Sequence, residues 1–255
     1  MNFLIIGCSN GLGLHHIFRD TFSSSHGNFE PVKDSFNDQI WEDDRDRYIN
    51  LSAGGSGNRY ITNSMQEYIS CNGSPDYVFL QYSGLNRIDL PCAKHDLVLD
   101  YGFQTETEFS NWIHSGGMIG SWLQNPHCQK LFTHLYNLKD QTNIITQNLL
   151  EIENGVNFLK AHKIPFNWST YYDYSNPPND EISRDGKLNT NTQKIYDNID
   201  KSNKIQSCII NHINSQNPAW LEKDAVHWKY EGGMAWLNDF QKEFIIRDIH
   251  ATRQK

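Results

Sequence analysis

Apolar residues in this chain come in short runs, and each run stops at a glycine or a polar turn. Phe3-Leu4-Ile5-Ile6 ends at Gly7, Tyr48-Ile49-Asn50-Leu51-Ser52-Ala53 ends at Gly54-Gly55, and Asp76-Tyr77-Val78-Phe79-Leu80-Gln81-Tyr82 ends at Ser83-Gly84. Runs of this length bounded by turn residues predict strands. A fourth is expected over 164–171. Between them the apolar positions change to helical spacing: Leu14, Ile17, Phe18 and Phe22, then 61–69, then 127–162 with one break near Asp140 or Asn154. A helix within 195–213 and a final one over 233–249 complete the pattern. Strands that alternate with helices predict a parallel sheet whose C-terminal edge gathers the turns.

Three stretches keep neither period. Residues 23–47 are rich in Ser, Asn, Asp and Phe and read as a long surface excursion, with the charged cluster 42–47 as a solvated face. Residues 174–193 read as a loop rich in Pro, Asn and Asp. Residues 88–126 accumulate Tyr101, Phe103, Phe109, Trp112 and Trp122. That insertion has two readings of equal standing: a satellite core under a long loop, or a substrate wall for sugar rings or apolar acyl groups.

Composition narrows the classes. A chain of 255 residues with 38% hydrophobic content has the size of one α/β domain, 1–255, and shows no internal repeat. No run approaches the roughly 20 apolar residues of a membrane span. A formal charge of -8 with no Lys/Arg cluster argues against a nucleic-acid groove. The apolar run before Cys8 lacks a basic leader and is too short for a signal peptide, so the default location is cytoplasmic. The cysteines (Cys8, Cys71, Cys92, Cys128, Cys208) are odd in number and show no C-x-x-C pair, which reads as free thiols without a zinc site. His15 and His16 are adjacent, point to different helix faces and make no metal site by themselves. No cofactor is implied.

The chemistry centres on Gly7-Cys8-Ser9-Asn10-Gly11-Leu12-Gly13. A strand-to-helix turn of this kind suits either a serine nucleophile or a dinucleotide pyrophosphate, because free backbone N–H groups and a helix dipole face whatever sits there. The glycine spacing is similar to that of short-chain dehydrogenases. That family's chemistry needs Tyr-x-x-x-Lys, and no tyrosine here has a lysine four residues on. A NAD(P)-dependent dehydrogenase is therefore the remote reading.

Four separated blocks together resemble the SGNH/GDSL hydrolase superfamily. They are Gly7-Cys8-Ser9-Asn10, Asn50-Leu51-Ser52-Ala53-Gly54-Gly55, Ser83-Gly84-Leu85-Asn86 and Asp224-Ala225-Val226-His227. The resemblance implies a three-layer α/β/α fold with a flavodoxin-like parallel sheet. It implies Ser9 as nucleophile, His227 as base and Asp224 as its orienting acid, with the N–H groups of Ser9 and Gly55 and the Asn86 amide as the oxyanion hole. The logic is chemical: serine needs a histidine to take its proton, a carboxylate holds that histidine in one tautomer, and the oxyanion needs preorganised donors. The expected activity is hydrolysis of a small-molecule or glycan ester, such as a carbohydrate O-acetyl ester, with Arg87, Trp112 and Trp122 as candidate substrate contacts. Two features depart from the family pattern. Cys8 stands where the family usually has Asp, and Arg87 stands where an Asp often follows the Asn; Arg87 is expected to bind an anionic substrate or to pair with Asp89. These departures keep open a binding or structural protein on the same fold, conceivably particle-associated in a bacteriophage. Transfer of an acyl group to a sugar shares every residue named. Oligomeric state is not legible.

Overall fold

The computed structural model describes residues 2–8, 40–42, 47–91, 112–116, 126–178, 180–206, 208–221 and 229–236. Its centre is a sheet ordered β2-β3-β1-β4-β7, formed by β1 (Asn2–Gly7), β2 (Ile40–Glu42), β3 (Arg47–Asn50), β4 (Tyr77–Tyr82) and β7 (Phe166–Thr170). β3, β1, β4 and β7 run parallel, and β2 pairs antiparallel with β3 at the edge. Counting only the parallel strands, the order is 2-1-3-4, the doubly wound arrangement of a flavodoxin-like sheet. Beyond β7 the fifth place is held by a single parallel bridge, Trp168 to Lys204. Its bonds are Trp168 N–H to the Asn203 carbonyl at 3.1 Å and Ile205 N–H to the Trp168 carbonyl at 2.8 Å.

The strands are apolar because both of their faces are covered. Every residue of β4 is buried. Along β4 the side chains alternate, and they identify the layers. The Tyr82 hydroxyl reaches the Ile152 carbonyl of α3 (Gln141–Ala161), whereas Phe79 packs edge-on against Trp236 of α7 (Tyr230–Trp236). Tyr82 and Phe79 are an odd number of positions apart, so α3 and α7 lie on opposite faces. α1 (Asn58–Asn72) packs beside α3, where Thr62 Oγ1 donates to the Glu151 carbonyl at 2.8 Å. Helices on both faces of a mainly parallel sheet make the α/β/α layering that the family resemblance implies, on the parallel sheet that the strand pattern predicts.

Several expectations are refined. The long helical pattern divides at Lys139–Asp140 into α2 (Pro126–Leu138) and α3, the first of the two breaks expected. The stretch read as a surface excursion contains β2. The aperiodic insertion contains β5 (Asp89–Pro91) and β6 (Trp112–His114), a two-stranded antiparallel sheet of its own. Strands of three residues are too short to show a period, which is why neither is visible in the sequence. The polar loop 174–193 contains α4 (Asp180–Ser183), and α5 (Thr190–Asn198) begins within it. Within 195–213, where one helix is expected, α5 ends and α6 (Ile209–Gln216) begins. Asn189 ends that loop as a capping box, its side chain accepting from Asn191 and Thr192 N–H groups. A 3-10 turn over Pro218–Trp220 follows α6. The helix expected over 12–22 and the end of the last helix beyond 236 lie outside the described residues. Among those described, no helix is long and apolar enough to cross a membrane.

Candidate active site

In an open parallel sheet the strand order reverses at one point, and the loops there diverge to leave a crevice outside the strand ends. Here the reversal falls between β1 and β4, so the crevice lies beyond Gly7 and Tyr82. Three strand-end segments are joined at this edge by hydrogen bonds. Ala53 N–H and Ser56 Oγ both donate to the Gly7 carbonyl, at 3.0 and 3.2 Å. Arg87 Nη1 then donates to the Ser56 carbonyl at 3.1 Å. The end of β1, the turn after β3 and the loop after β4 therefore form one contiguous surface. They carry the second and third of the four sequence blocks and the first two residues, Gly7 and Cys8, of the one with Ser9.

The turn after β3 is tight because Ser56 N–H bonds back to the Ala53 carbonyl at 3.2 Å, with Gly55 in the left-handed region at φ 72. A side chain there would be strained, so glycine suits the position. The Gly55 carbonyl accepts Gly116 N–H at 3.2 Å. Its own N–H meets no acceptor among the described residues, which leaves a donor at the sheet edge. The N-terminus of α1 behind it is different. Gly57 and Tyr60 N–H donate to the two carboxylate oxygens of buried Asp89 at 2.8 and 2.9 Å, and Asn58 N–H to Asn148 Oδ1 at 3.3 Å. Asp89, joined also by His114 Nδ1 at 2.9 Å, caps the helix from a distant strand. This helix terminus thus already has its anion.

The loop after β4 is held at most of its backbone polar groups. Ser83 N–H donates to Asn58 Oδ1 at 2.7 Å, and the Ser83 carbonyl accepts the Tyr174 hydroxyl at 2.5 Å. Asn148 Nδ2 lies 3.0 Å from the Leu85 carbonyl and 2.9 Å from that of Arg87. The Asn86 carbonyl accepts the Tyr136 hydroxyl at 2.7 Å, and Asn86 N–H donates to the Asp185 carbonyl at 2.7 Å. The Asn86 side chain is half-buried, donating one amide N–H to the Arg184 carbonyl at 3.3 Å, so a second amide hydrogen remains.

Arg87 corrects an expectation. Its partner is Asp185, not Asp89: Nε and Nη2 meet the two Asp185 oxygens at 3.1 and 2.6 Å. The guanidinium is buried and lies over the Tyr171 ring at 5.5 Å. Burial works most strongly against its charge, but Asp185 and Tyr171 more than offset this, so Arg87 is held well above its ordinary pKa. Such a fork is an internal ion pair rather than a free anion receptor. Trp112 is likewise engaged, edge-on to Tyr60 at 6.1 Å and beneath Arg59 at 5.7 Å. Ser9, Asp224, His227 and Trp122 lie outside the described residues.

Buried polar atoms without partners gather at the same edge. Ser52 Oγ, both amide atoms of Gln81, Ser83 Oγ and Asn86 Oδ1 have no partner among the described residues, and they lie at or near the ends of β3 and β4. Unsatisfied groups are rare in folded proteins and concentrate where function requires them. The residues that brace this edge (Asp185, Asn148, Tyr136, Tyr174 and Asp89) carry no motif. Asp185-Gly186 signals a turn, and nothing in its spacing points to Arg87.

No family model matches the chain, and no curated protein matches it. Among solved structures it is similar to an acetylxylan esterase, Axe2, from Geobacillus stearothermophilus in a catalytic-mutant form. Identity is 13%, the TM-score is 0.45, and the match covers 97% of this chain and 93% of that one. It is also similar to the psychrotrophic esterase EstA from Pseudoalteromonas sp., inhibited by monoethylphosphonate, at 10% identity and TM-score 0.45, covering 96% of this chain and 98% of that one. Likeness of this size decides nothing about activity, which has to be argued from the chain's own residues.

Proposed function

We propose that this protein is a serine esterase that cleaves a carboxylic ester through an acyl-enzyme on Ser9. The observation that carries the reading is the joining of the Gly7, Gly55 and Asn86 segments at the β1/β4 crevice. β1 runs out at Cys8 on this crevice, and two donors there lack an acceptor among the described residues, the Gly55 N–H and one Asn86 amide hydrogen.

In this reading Ser9 Oγ attacks the ester carbonyl carbon while His227 takes its proton, and Asp224 holds the imidazole tautomer. The carbonyl oxygen becomes an oxyanion and receives hydrogen bonds from Ser9 N–H, Gly55 N–H and the Asn86 amide. Collapse expels the alcohol, protonated by His227. A water then repeats the sequence on the acyl-enzyme and releases the carboxylic acid. The aromatic residues of 88–126 favour a carbohydrate O-acyl ester as substrate. A sugar hydroxyl in place of water would make the same site an acyltransferase.

The test is labelling with a fluorophosphonate probe together with turnover of an aryl acetate. Wild type should label and turn over, while Ser9→Ala and His227→Ala should do neither. Turnover by a folded Ser9→Ala protein at the wild-type rate would refute the assignment. A folded wild type that neither labels nor turns over would move the protein to the binding class.

A further inference from the structure

The Asn86 loop carries a cation that its neighbours neutralise in an unusual way. Arg87 is buried, and its two-pronged contact runs to Asp185, in a segment about a hundred positions later in the chain. The same segment touches the loop through its backbone: Asn86 N–H donates to the Asp185 carbonyl, and Asn86 Nδ2 to that of Arg184. The two backbones are in close contact. A Cβ on Gly84 would stand 2.7 Å from Asp185 Cβ, and one on Gly186 would stand 2.9 Å from the Asn86 nitrogen. Tyr171 donates its hydroxyl to Asp185, and Tyr172 donates to the Gly186 carbonyl at 2.5 Å.

We infer that the Arg87–Asp185 ion pair is a positioning device that fixes the Asn86 amide relative to the end of β1. It rests on the reading of Asn86 as an oxyanion donor. The guanidinium links three groups at once: Asp185, the Ser56 carbonyl beside Gly55, and, through the chain, Asn86 itself. It therefore sets the spacing between the two donor segments. An amide on an unbraced loop would have to be ordered during the reaction, whereas one held by a bidentate pair is ordered beforehand. Ser56, whose carbonyl accepts Arg87 Nη1, also donates its hydroxyl to the Gly7 carbonyl, so the guanidinium is tied through one residue to the end of β1. Arg87 and Asp185 touch no reacting atom in this scheme. They act through Asn86.

The experiment uses the full chain with both charges removed together, Arg87→Met with Asp185→Asn, so that no buried charge is left unpaired. Hydrogen exchange followed by mass spectrometry should show protection over 83–88 falling about tenfold or more while α3 keeps its own. With an aryl acetate, kcat should fall about 10–100-fold with KM within about twofold, as expected when a donor is displaced rather than a pocket lost. Arg87→Lys keeps the charge and loses the fork. It should show the same pattern in milder form, and it serves in place of the double variant if that one does not fold. Unchanged exchange over 83–88 would overturn the inference, as would loosening spread equally over α3. Loosened exchange with wild-type kcat would overturn it as well, because the loop would then move without consequence. If wild type itself showed no turnover and no labelling, the serine-esterase reading would fall on that result alone. The exchange arm would still decide whether the ion pair orders the loop.

Discussion

The two loops that bring donors to the crevice are built in opposite ways. The turn after β3, residues 51–57, takes its shape from its own backbone, with a left-handed glycine, the Ala53–Ser56 turn bond and a return to the Gly7 carbonyl, and Gly116, Arg87 and Asp89 add contacts at Gly55, Ser56 and Gly57. The loop after β4, residues 83–88, is held from outside by Asn58, Tyr174, Asn148, Tyr136 and Asp185, which come from four distant parts of the chain. One loop takes its shape chiefly from conformational preference and the other chiefly from tertiary contacts. They should therefore fail differently. The first loses stability when its glycine is replaced, and the second when any of several remote side chains is removed.

The largest difference is expected at Asn148. Its amide serves the Leu85, Arg87 and Ile144 carbonyls, at 3.0, 2.9 and 3.0 Å. Asn148→Ala leaves the Leu85 and Arg87 carbonyls, and the Asn58 N–H that its Oδ1 accepts at 3.3 Å, without that partner and should cost about 3 kcal/mol or more in urea unfolding, at about 1–3 kcal/mol for each buried group left unsatisfied. A loss below about 1 kcal/mol would mean that the loop holds its own shape. Gly55→Ala comes next. At φ 72 an alanine costs about 1–2 kcal/mol, and the turn can recover only by moving its N–H, so esterase kcat should fall along with stability. Retention of full kcat would separate Gly55 from the oxyanion hole.

Tyr136→Phe removes the bonds of its hydroxyl to the Asn86 carbonyl at 2.7 Å and to Ser115 Oγ at 2.8 Å and should cost about 1–2 kcal/mol. Its sharper reading is in alkali. Burial pushes the Tyr136 phenol up to about 12. A group raised in the folded state contributes stability that is whole below its unfolded pKa, near 10, and is lost as pH rises towards 12. Wild type should therefore lose stability more steeply than Tyr136→Phe across that window, and parallel curves would show that this phenol is not the one titrating. The smallest effect on the crevice is expected from Asn189→Ala. It removes the cap of α5, should lower stability by about 1 kcal/mol, and should leave kcat and KM unchanged. A change in kcat there would show that the edge responds to stability in general and not to its own braces.

The comparison also marks what can be read without a structure. Gly54-Gly55 after an apolar run predicts a turn at a strand end, because the need for φ above zero is met by one residue acting locally. The loop 83–88 is legible as a loop from Ser83-Gly84, but its rigidity is not. Asn148 and Tyr136 sit in ordinary helical sequence, and their partners lie 61 and 50 positions away. The pairing of Arg87 shows the limit most clearly. Asp89 is the near neighbour in sequence, yet it is committed to the N–H groups of Gly57 and Tyr60. The partner is Asp185, which is close to Arg87 only after β7 and its following loop have packed beside β4.

By itself the sequence determined the four parallel strands and their order of appearance, the helices over 58–72 and 126–161, that the longer of these patterns is broken once, and the glycine turns after β3 and β4. All of these follow from apolar periodicity and backbone preference within a window of a few residues. The tertiary structure decided the short strands β2, β5 and β6, the capping of α1 by Asp89, and the ion pair that holds the Asn86 loop. These rest on partners brought together from remote parts of the chain, where the energy of a contact depends on burial and geometry that no local pattern records.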